Sequence, residues 1–374
     1  MRFIGGAPGH EASADVRDVV ALTRAICDVE SVSGGEQGLA DAVEQVLHGV
    51  DGLEVLRDGD AVVARTRLGR SERVVLAGHL DTVPLARHPD GTPNLPVQVV
   101  EEGGAEVLLG RGTVDMKGGV AVQLHLAATL PDPIRDVTYV FYDNEEVEAA
   151  RNGLRRLAEH HPEWIAGDFA VLLEPTDGTV EGGCQGTMRV AVTTRGTAAH
   201  SARSWMGHNA IHDAGRVLSR LGSYLAREVA VDGLTFREGL NAVGIHGGIA
   251  GNVIPDHCEV TVNYRFAPDR SVADAEAHLR EVFEGFEVEV LDAAGGARPG
   301  LDHPAAAAFV AAIGQQPKPK FGWTDVARFS ALGVPAVNFG PGDPLLAHRD
   351  DERCPAAQVT GCAEALRRWL SPAG

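Results

Sequence analysis

Residues 137–153 have the sequence VTYVFYDNEEVEAARNG, in which an apolar run ends abruptly in acidic residues. The run from Val137 to Tyr142 predicts a buried strand, and the acidic cluster lies just past its end. Adjacent carboxylates repel one another once they leave bulk water. Glu145 and Glu146 at the rim of a core therefore indicate either a solvated loop or a bound cation.

Short apolar segments alternate with helical ones on both sides of this strand. Strands are predicted at 72–78 (ERVVLAG) and 168–174 (DFAVLLE), and helices at 118–130 (GGVAVQLHLAATL) and 152–161 (NGLRRLAEHH). Alternation of this kind predicts a mostly parallel sheet covered by helices.

The pattern changes near Gly186. Beyond it the segments follow the order strand, helix, strand, strand, helix, strand, which is the ferredoxin-like order. The Gly/Pro-rich stretch AAGGARPG at 293–300 predicts a hinge, after which helix and strand alternate again. We therefore expect an α/β domain in two parts, residues 1–186 and 295–374, interrupted by an inserted α+β domain at 187–294.

Composition restricts the classes of protein and partner. A chain of 374 residues favours two domains, and its net charge of -19 argues against nucleic acid or an anionic membrane as a partner. No apolar run reaches the length of a membrane span. The first dozen residues lack a signal-peptide pattern and are expected to form a loose tail. Five scattered cysteines without a CxxC pair favour reduced thiols and a cytoplasmic location.

Potential metal ligands follow the predicted strands at the same end. In a parallel sheet the carboxyl ends of the strands lie along one edge, where ligands bind. A single His or Glu beyond a strand is more often a surface residue, but several such positions coincide in this chain. They are His79 and Asp81 in AGHLDTVP, Glu145 and Glu146, Glu174 in LLEPTDG, His348 in the loop after a strand ending at Phe339, and Asp115 in GRGTVDMKGG, just before a helix.

This set of two histidines and several carboxylates, without cysteine, suits Zn²⁺, Mn²⁺ or Co²⁺. The charge of a metal ion offsets the repulsion between Glu145 and Glu146. Because neighbouring side chains point in different directions, one glutamate can bind metal while the other acts on a water. Asp81, two residues after His79, is expected to point the same way and to accept the second N–H of His79; a loop cap is the alternative.

An ordered set of motifs spans nearly the whole chain: GHLDTVP, GRGTVDMKGG, DNEEV, LLEPT, AHSARSWMGHNAI with GNVIP, and a distal AH. In these motifs the chain resembles the co-catalytic zinc metallopeptidase family that includes aminoacylase, acetylornithine deacetylase, glutamate carboxypeptidases and succinyl-diaminopimelate desuccinylase. The resemblance implies a zinc-peptidase-like catalytic domain, and it gives the inserted ferredoxin-like domain the role of a dimerisation (lid) domain.

The resemblance also implies two divalent metal ions per subunit, with Zn²⁺ expected and Co²⁺ or Mn²⁺ as alternatives. Glu145 becomes the general base. In the implied ligand set Asp115 bridges the two metals, His79 and Glu174 hold one, and Glu146 and His348 hold the other.

Within the family, the segments CQGTMRV, VNYRFAPDRS, FGWTDVARF and NFGPGDPLLAHRDDE look most like those of desuccinylases of actinobacterial type. This implies hydrolysis of N-succinyl-L,L-2,6-diaminopimelate to succinate and L,L-2,6-diaminopimelate, for lysine and cell-wall precursors. Departures such as Ser204 in place of a proline bear on substrate choice rather than on metal binding. A related amidohydrolase, such as an acetylornithine deacetylase or aminoacylase, and a non-catalytic metal-binding protein stay open as alternatives.

A substrate with three carboxylates needs cationic partners in the site. Arg265, in NYRF, is the best candidate for a bidentate clamp on one carboxylate, and a surface arginine is the alternative. Asn252, in GNVIP, is a candidate hydrogen-bond donor, although this motif is also typical of a tight turn. Arg203 and Trp323 are weaker candidates.

The inserted domain is expected to form a homodimer, because a ferredoxin-like sheet leaves an edge strand or helix free to pair with its copy. His200, in AAHSARS, has no position at a strand end of the metal-bearing domain. The resemblance implies that it reaches the active site of the other subunit and stabilises the oxyanion there. A loop histidine without a role is the alternative.

Overall fold

Residues 1–6 and 12–372 are described by the computed structural model, and they form two units. The first unit comprises Met1–Gly182, Gly300–Lys318 and Arg328–Gly374, and the second comprises Gly183–Pro299 and Pro319–Ala327.

The helices and strands follow in chain order. Before the second unit begins, the elements are β1 (Arg2–Gly5), β2 (Ala12–Asp15), α1 (Val19–Asp28), α2 (Gln37–His48), β3 (Leu53–Asp58), β4 (Ala61–Thr66), β5 (Arg73–His79), β6 (Gln98–Glu102), β7 (Ala105–Leu109), α3 (Lys117–Thr129), β8 (Asp136–Tyr142), α4 (Gly153–His160), β9 (Phe169–Leu172) and β10 (Glu181–Gly182). The next elements are β11 (Gly186–Arg195), β12 (Ala199–His200), a 3-10 helix (Ser201–Met206), α5 (Ala210–Gly222), β13 (Glu228–Val231), β14 (Leu234–Arg237), β15 (Gly239–Gly247), β16 (Val253–Ile254), β17 (His257–Phe266), α6 (Val272–Val282) and β18 (Glu287–Ala294). The chain ends with α7 (Pro304–Ile313), β19 (Lys318–Pro319), α8 (Val326–Ala331), β20 (Ala336–Asn338), a second 3-10 helix (Pro344–Leu346), β21 (Arg353–Pro355) and α9 (Ala356–Leu370).

An eight-stranded mixed sheet forms the centre of the first unit, in the order β19-β10-β20-β9-β5-β8-β4-β3. The four central strands β20, β9, β5 and β8 run parallel, whereas β10, β4 and β3 pair antiparallel. Every residue of β8 is buried, as expected of an apolar strand between two neighbours in a helix-covered sheet. The prediction of a large parallel sheet is therefore confirmed at its centre.

Helix α3 lies directly against a strand end that carries a candidate ligand. Gly119 allows this approach, because a Cβ atom at that position would lie 2.2 Å from the backbone oxygen of Leu173. Leu173 precedes Glu174, and Asp115 lies two residues before α3. The close packing of helix on strand thus brings these two carboxylates to the same edge of the sheet.

Several antiparallel strand pairings were not predicted from the sequence. The expected loose tail is instead a hairpin in part: β1 pairs with β2, and Phe3 is fully buried, while residues 7–11 lie outside the described residues. β13 and β14 are joined by Asp232 and Gly233, which both have positive φ, as a tight hairpin turn requires. β6, β7 and β21 form a separate three-stranded sheet.

The second unit is a four-stranded antiparallel sheet with two helices. Its strands have the order β15-β17-β11-β18, and α5 and α6 pack on one face. Counted along the chain, this is the order 2-3-1-4 with the connection β11-α5-β15-β17-α6-β18, which is the ferredoxin-like arrangement. β15 and β18 form the two edges of the sheet.

The segment 319–327 belongs to the second unit, although the sequence analysis placed it in the second part of the catalytic domain. The indole N–H of Trp323 donates to the backbone oxygen of Gly295 at 3.1 Å, and the thiol of Cys184 lies 3.7 Å from the backbone oxygen of Thr324. The first contact ties the segment to the predicted hinge, and the second ties it to the start of the second unit. A local sequence pattern does not show such long-range packing.

Two features of the composition have structural counterparts. All five cysteines are buried and free. Within residues 1–6 and 12–372, no helix combines the length and the apolar character that a membrane crossing needs.

Candidate metal centre

His79 is the last residue of β5, and its ring is held inside the first unit by two contacts. Nδ1 lies 3.0 Å from the backbone oxygen of Asp81, and Nε2 lies 3.1 Å from Oδ1 of Asp115. Because a carbonyl oxygen only accepts, Nδ1 carries the proton there, and Nε2 is the nitrogen left for a metal ion. The nearer acceptor is thus the carbonyl of Asp81 rather than its carboxylate, whose Oδ1 lies 3.4 Å away.

Asp115 faces both candidate histidines with its two carboxylate oxygens. Oδ1 lies 3.1 Å from Nε2 of His79, and Oδ2 lies 3.3 Å from Nε2 of His348. The same nitrogen of His348 lies 2.8 Å from Oε1 of Glu146. One carboxylate therefore stands between two sets of ligand atoms, which is the arrangement that a bridge between two cations requires.

Potential ligand atoms cluster in overlapping groups at this edge of the sheet. Within each group, one ligand atom from every residue lies within 4.8 Å of the others. The groups are His79 with Asp115 and Glu174, Asp115 with Glu146 and His348, and His79 with Glu145 and Glu146. Because the first two share Asp115, the donor set fits a pair of divalent cations with oxygen and imidazole ligands.

The acidic groups of the cluster shift the pKa values of neighbouring side chains and favour a positively charged partner. Hydrogen bonds with Asp115 and Glu146 raise the pKa of His348 to about 10. Burial raises the pKa of Glu146, and the nearby charge of Asp115 raises it further. Although burial opposes it, contacts with His348 and His79 hold the pKa of Asp115 below its usual range. Bound cations would supply this charge and leave both imidazoles neutral, so the electrostatics also fit a metal centre.

Asp81 supports the loop that carries the two glutamates. Its Oδ1 accepts from the backbone N–H of Glu145 at 2.9 Å, and its Oδ2 accepts from the N–H of Glu146 at 3.0 Å and from the hydroxyl of Ser33 at 2.7 Å. Burial acts to raise its pKa, but the contacts with His79, Ser33 and Glu145 lower the pKa of Asp81 to about 2. The carboxylate therefore stays ionised and holds this loop.

Asn144 turns the chain at the end of β8 with a φ of 56°, a conformation that asparagine tolerates. Its N–H donates to Oε1 of Glu36 at 3.0 Å, and Glu36 is fully buried. The turn sends Glu146 toward His348. Neither Glu36 nor Ser33 was predicted as part of the site, because each contacts residues about a hundred or fifty positions away in the chain.

Residues 75–371 match the peptidase family M20/M25/M40. This match covers most of the chain and every candidate ligand. The chain belongs to this family. The resemblance noted in the sequence motifs is therefore confirmed.

Two curated relatives align with nearly the full chain. A Mycobacterium tuberculosis protein, assigned provisionally as the succinyl-diaminopimelate desuccinylase DapE, is 55% identical over 94% of this chain and 98% of its own length. The succinyl-diaminopimelate desuccinylase of Corynebacterium glutamicum is 47% identical over 95% of this chain and 96% of its own length.

Solved structures of other proteins share the fold. Aminopeptidase PepT of Bacillus cereus superposes with a TM-score of 0.74 at 18% identity, covering 95% of this chain and 98% of its own. The YxeP protein of Bacillus subtilis, described as a dinuclear metal-binding peptidase of the M20 family, has a TM-score of 0.69 at 16% identity, covering 95% and 97%. At these identities the likeness establishes the fold alone.

Arg265 and Asn252, the leading candidates for substrate contacts, lie in the second unit. Arg265 is half-buried in β17, and among residues 1–6 and 12–372 no carboxylate forms an ion pair with it. Burial lowers the pKa of Arg265 from its usual value. Asn252 lies in an exposed turn, and its backbone oxygen accepts from the N–H of Ser201 at 2.9 Å. Both candidates thus lie on elements of the second unit, and the guanidinium of Arg265 has no carboxylate partner among the described residues.

His200 and Arg203 lie on an exposed part of the second unit. Nδ1 of His200 accepts from the backbone N–H of Ala202 at 3.1 Å, which caps the short 3-10 helix that contains Arg203. The structure thus brings together all five candidate ligands, Glu145 and Asp81 in the first unit, and it places His200, Arg203, Asn252 and Arg265 in the second.

Proposed function

We propose that this chain is a metal-dependent succinyl-diaminopimelate desuccinylase. It hydrolyses the linear amide of N-succinyl-L,L-2,6-diaminopimelate with water, and it releases succinate and L,L-2,6-diaminopimelate for lysine and cell-wall precursor synthesis. The observation that carries the proposal is the cluster in which Asp115 joins two ligand groups beside Glu145. Relatives named for this reaction, at 55% and 47% identity over nearly the whole chain, support the choice of substrate.

Two divalent cations would be held by the ligands grouped around Asp115. His79 and Glu174 face one position, and Glu146 and His348 face the other. Zn²⁺ is the expected ion, with Co²⁺ or Mn²⁺ as alternatives. When bound, such a pair polarises an amide carbonyl and lowers the pKa of a nearby water.

Glu145 acts as the general base. Its backbone N–H is fixed by Asp81, so its carboxylate stays at the edge of the ligand cluster. It takes a proton from the attacking water as the new C–O bond forms. When the C–N bond breaks, it delivers that proton to the departing amine, so that one water is consumed for each amide cleaved.

Arg265 binds one carboxylate of the substrate. A half-buried guanidinium without a carboxylate partner in the described chain matches the planar, bidentate geometry of such a group. Asn252 and Arg203 contribute further polar contacts from neighbouring exposed segments.

The second unit serves as the dimerisation (lid) domain of a cytoplasmic homodimer. Its edge strand β15 exposes Val243 (61%) and Ile245 (49%), and α5 exposes Ile211 (38%) and Leu218 (43%). Apolar residues on a free sheet edge and an adjoining helix suit a second copy of the same chain. In that dimer His200 reaches the partner's active site and donates to the oxyanion.

The test is hydrolysis of matched substrates by metal-free and metal-loaded protein. Protein stripped by a chelator is expected to be inactive, and about two equivalents of Zn²⁺ should restore hydrolysis of N-succinyl-diaminopimelate, as a bridging Asp115 requires. The N-acetyl analogue should react much more slowly. Faster release of acetate than of succinate would favour a deacetylase, and full activity of the metal-free protein would exclude the mechanism altogether.

A further inference from the structure

A buried ion pair, Arg111 with Glu352, lies beside the candidate ligands of the first unit. Nη1 of Arg111 donates to Oε2 of Glu352 at 2.8 Å, and the two side chains are only 3% and 1% exposed. Taking two charges out of water costs free energy unless each charge finds further partners. The partners of this pair therefore indicate what it holds in place.

Glu352 holds the backbone from which Asp115 projects. Its Oε1 accepts from the N–H of Val114 at 3.0 Å and from the N–H of Asp115 at 3.1 Å. Asp115 in turn faces His79 and His348 with its two oxygens. A shift of the Glu352 carboxylate would therefore move the residue that the two ligand groups share.

Arg111 holds the loop that carries His348. Its Nη1 also donates to the backbone oxygen of Arg349 at 3.2 Å, directly after His348, which has a φ of 64°. Pairing of β7 with β21 continues into this region, where the N–H of Gly110 donates to the backbone oxygen of Glu352 at 2.9 Å. The ion pair thus joins two loops, each of which supplies one ligand.

We propose that Arg111 and Glu352 form a positioning pair that sets the separation between Asp115 and His348, and with it the geometry of the metal centre. The pair acts through the backbone of the two loops. The inference rests on the proposed function only in taking Asp115 and His348 as metal ligands.

Substitutions can separate this role from general stability, because both oxygens of Glu352 face donors. Glu352→Gln places an amide NH₂ against either the guanidinium of Arg111 or the two backbone N–H groups. The double variant Arg111→Met with Glu352→Gln removes the guanidinium, so that the amide oxygen can accept from the backbone while its NH₂ meets no donor. The double variant should therefore bind metal better than Glu352→Gln alone.

The experiment is a Co²⁺ titration of metal-free protein, followed by the affinity for each equivalent and the visible absorption spectrum of the bound ion. Glu352→Gln is expected to weaken binding about 10- to 100-fold and to change the spectrum, as loss of groups that orient ligands does. Part of the affinity should return in the double variant. The matched control is Glu238→Gln in the second unit, whose carboxylate also accepts from an arginine, Arg227, and from a backbone N–H. It should titrate like the wild type.

Three results would overturn the inference: wild-type affinity and spectrum in Glu352→Gln, no recovery in the double variant, or an equal loss of affinity in Glu238→Gln. Thermal unfolding shows which variants are folded. If Glu352→Gln does not fold, the milder Arg111→Lys decides by the same two measurements, since lysine keeps the charge but lacks the forked donors. Failure of the wild type to bind Co²⁺ would count against the proposed function itself, whereas a defect confined to the variants bears on the pair alone.

Discussion

The two units support their candidate residues in different ways. In the first unit, Asp81 is fully buried and accepts from three donors while it holds the loop of Glu145 and Glu146. In the second unit, His200 is exposed, and its described hydrogen bond is a local helix cap. A buried network within one chain fixes where a side chain can act. An exposed histidine gains a comparable role only when a substrate or a partner subunit covers it.

Replacement of the general base should produce the largest effect. Glu145→Gln keeps the size of the side chain but cannot accept a proton from water, so turnover should fall about a hundredfold to ten-thousandfold. Metal content should stay near that of the wild type, because the ligands gathered around Asp115 remain. The rate of succinate release and the metal content of the purified protein measure the two properties.

The control for Glu145 is Glu148→Gln, in the same loop. The side chain of Glu148 is 78% exposed and lies 3.9 Å from Arg151, away from the ligand groups. The Glu148→Gln variant should hydrolyse the substrate at the wild-type rate. If the Glu145→Gln variant binds metal and hydrolyses the substrate at the wild-type rate, Glu145 is not the general base, although it lies among the candidate ligands.

His200→Ala tests whether the exposed region takes part in catalysis. Loss of one donor to a developing oxyanion typically lowers turnover about a hundredfold to a thousandfold. Metal content should be unchanged, because the candidate ligands all lie in the first unit. His257→Ala, at an exposed position of the same unit, is the control and should have little effect.

Mixing the two inactive variants determines which subunit His200 serves. In a mixed dimer of Glu145→Gln and His200→Ala chains, one active site has an intact Glu145 and receives an intact His200 from the other chain. Activity above that of both parents after subunit exchange is the expected result. If mixed dimers are demonstrated but remain inactive, or if a monomer is fully active, His200 has no role in the partner's site.

Asp81→Asn tests the support beneath the metal ligands and should have a smaller effect. The amide would place an NH₂ donor against the N–H groups or the hydroxyl that the carboxylate now accepts from. Metal affinity should fall about 10- to 100-fold. Asp90→Asn is the control, because Asp90 also accepts from a backbone N–H, that of Thr92, but in an exposed loop. Equal losses of metal affinity in the two variants would show that Asp81 has no specific role in supporting the metal ligands.

The position of the candidate ligands along one edge of the sheet could be predicted, because each step starts from a local sequence pattern. Apolar runs give strands, parallel strands share a carboxyl edge, and the residues that follow β5, β8 and β9 therefore converge. His79, Glu146 and Glu174 meet there in the structure. Asp115 belongs with them because α3 packs tightly on the end of β9.

The supporting contacts were not predictable, because they join segments that are distant in the chain. Glu352 accepts from the N–H of Asp115 across 237 positions, and Arg111 in the GRGT motif gives no local sign of an ion pair. The missed hairpin at Asp232 and Gly233 is different. Its Asp-Gly turn between alternating residues is a strong local signal that was overlooked.

The smallest effect on function is expected from Glu238→Gln, a change in a buried ion pair of the second unit that stabilises its fold. Glu238 accepts from Arg227 at 2.6 Å, from the N–H of Ala267 at 3.1 Å and from the hydroxyl of Tyr264 at 2.9 Å. Turnover should stay within a few-fold of the wild type. Loss of these charge-assisted hydrogen bonds should lower the free energy of unfolding by about 1–3 kcal/mol near pH 7.

The loss of stability in Glu238→Gln should become smaller as the pH falls, and the direction of this change follows from the pKa of Glu238. Although burial acts to raise it, the contacts of Glu238 with Arg227, Ala267 and Tyr264 hold its pKa below the ordinary value of 4.5. A carboxyl with a lowered pKa in the folded state contributes stability above its unfolded pKa and loses it as the pH falls through the folded pKa. Glutamine does not titrate, so the gap in melting temperature between wild type and variant should be constant at neutral pH and narrow below about pH 4.5.

Thermal unfolding between pH 7 and pH 3, with a chelator present so that metal release does not contribute, measures this gap. A gap that widens in acid would mean that Glu238 is not stabilised as an anion, and that the second unit is not held by this pair.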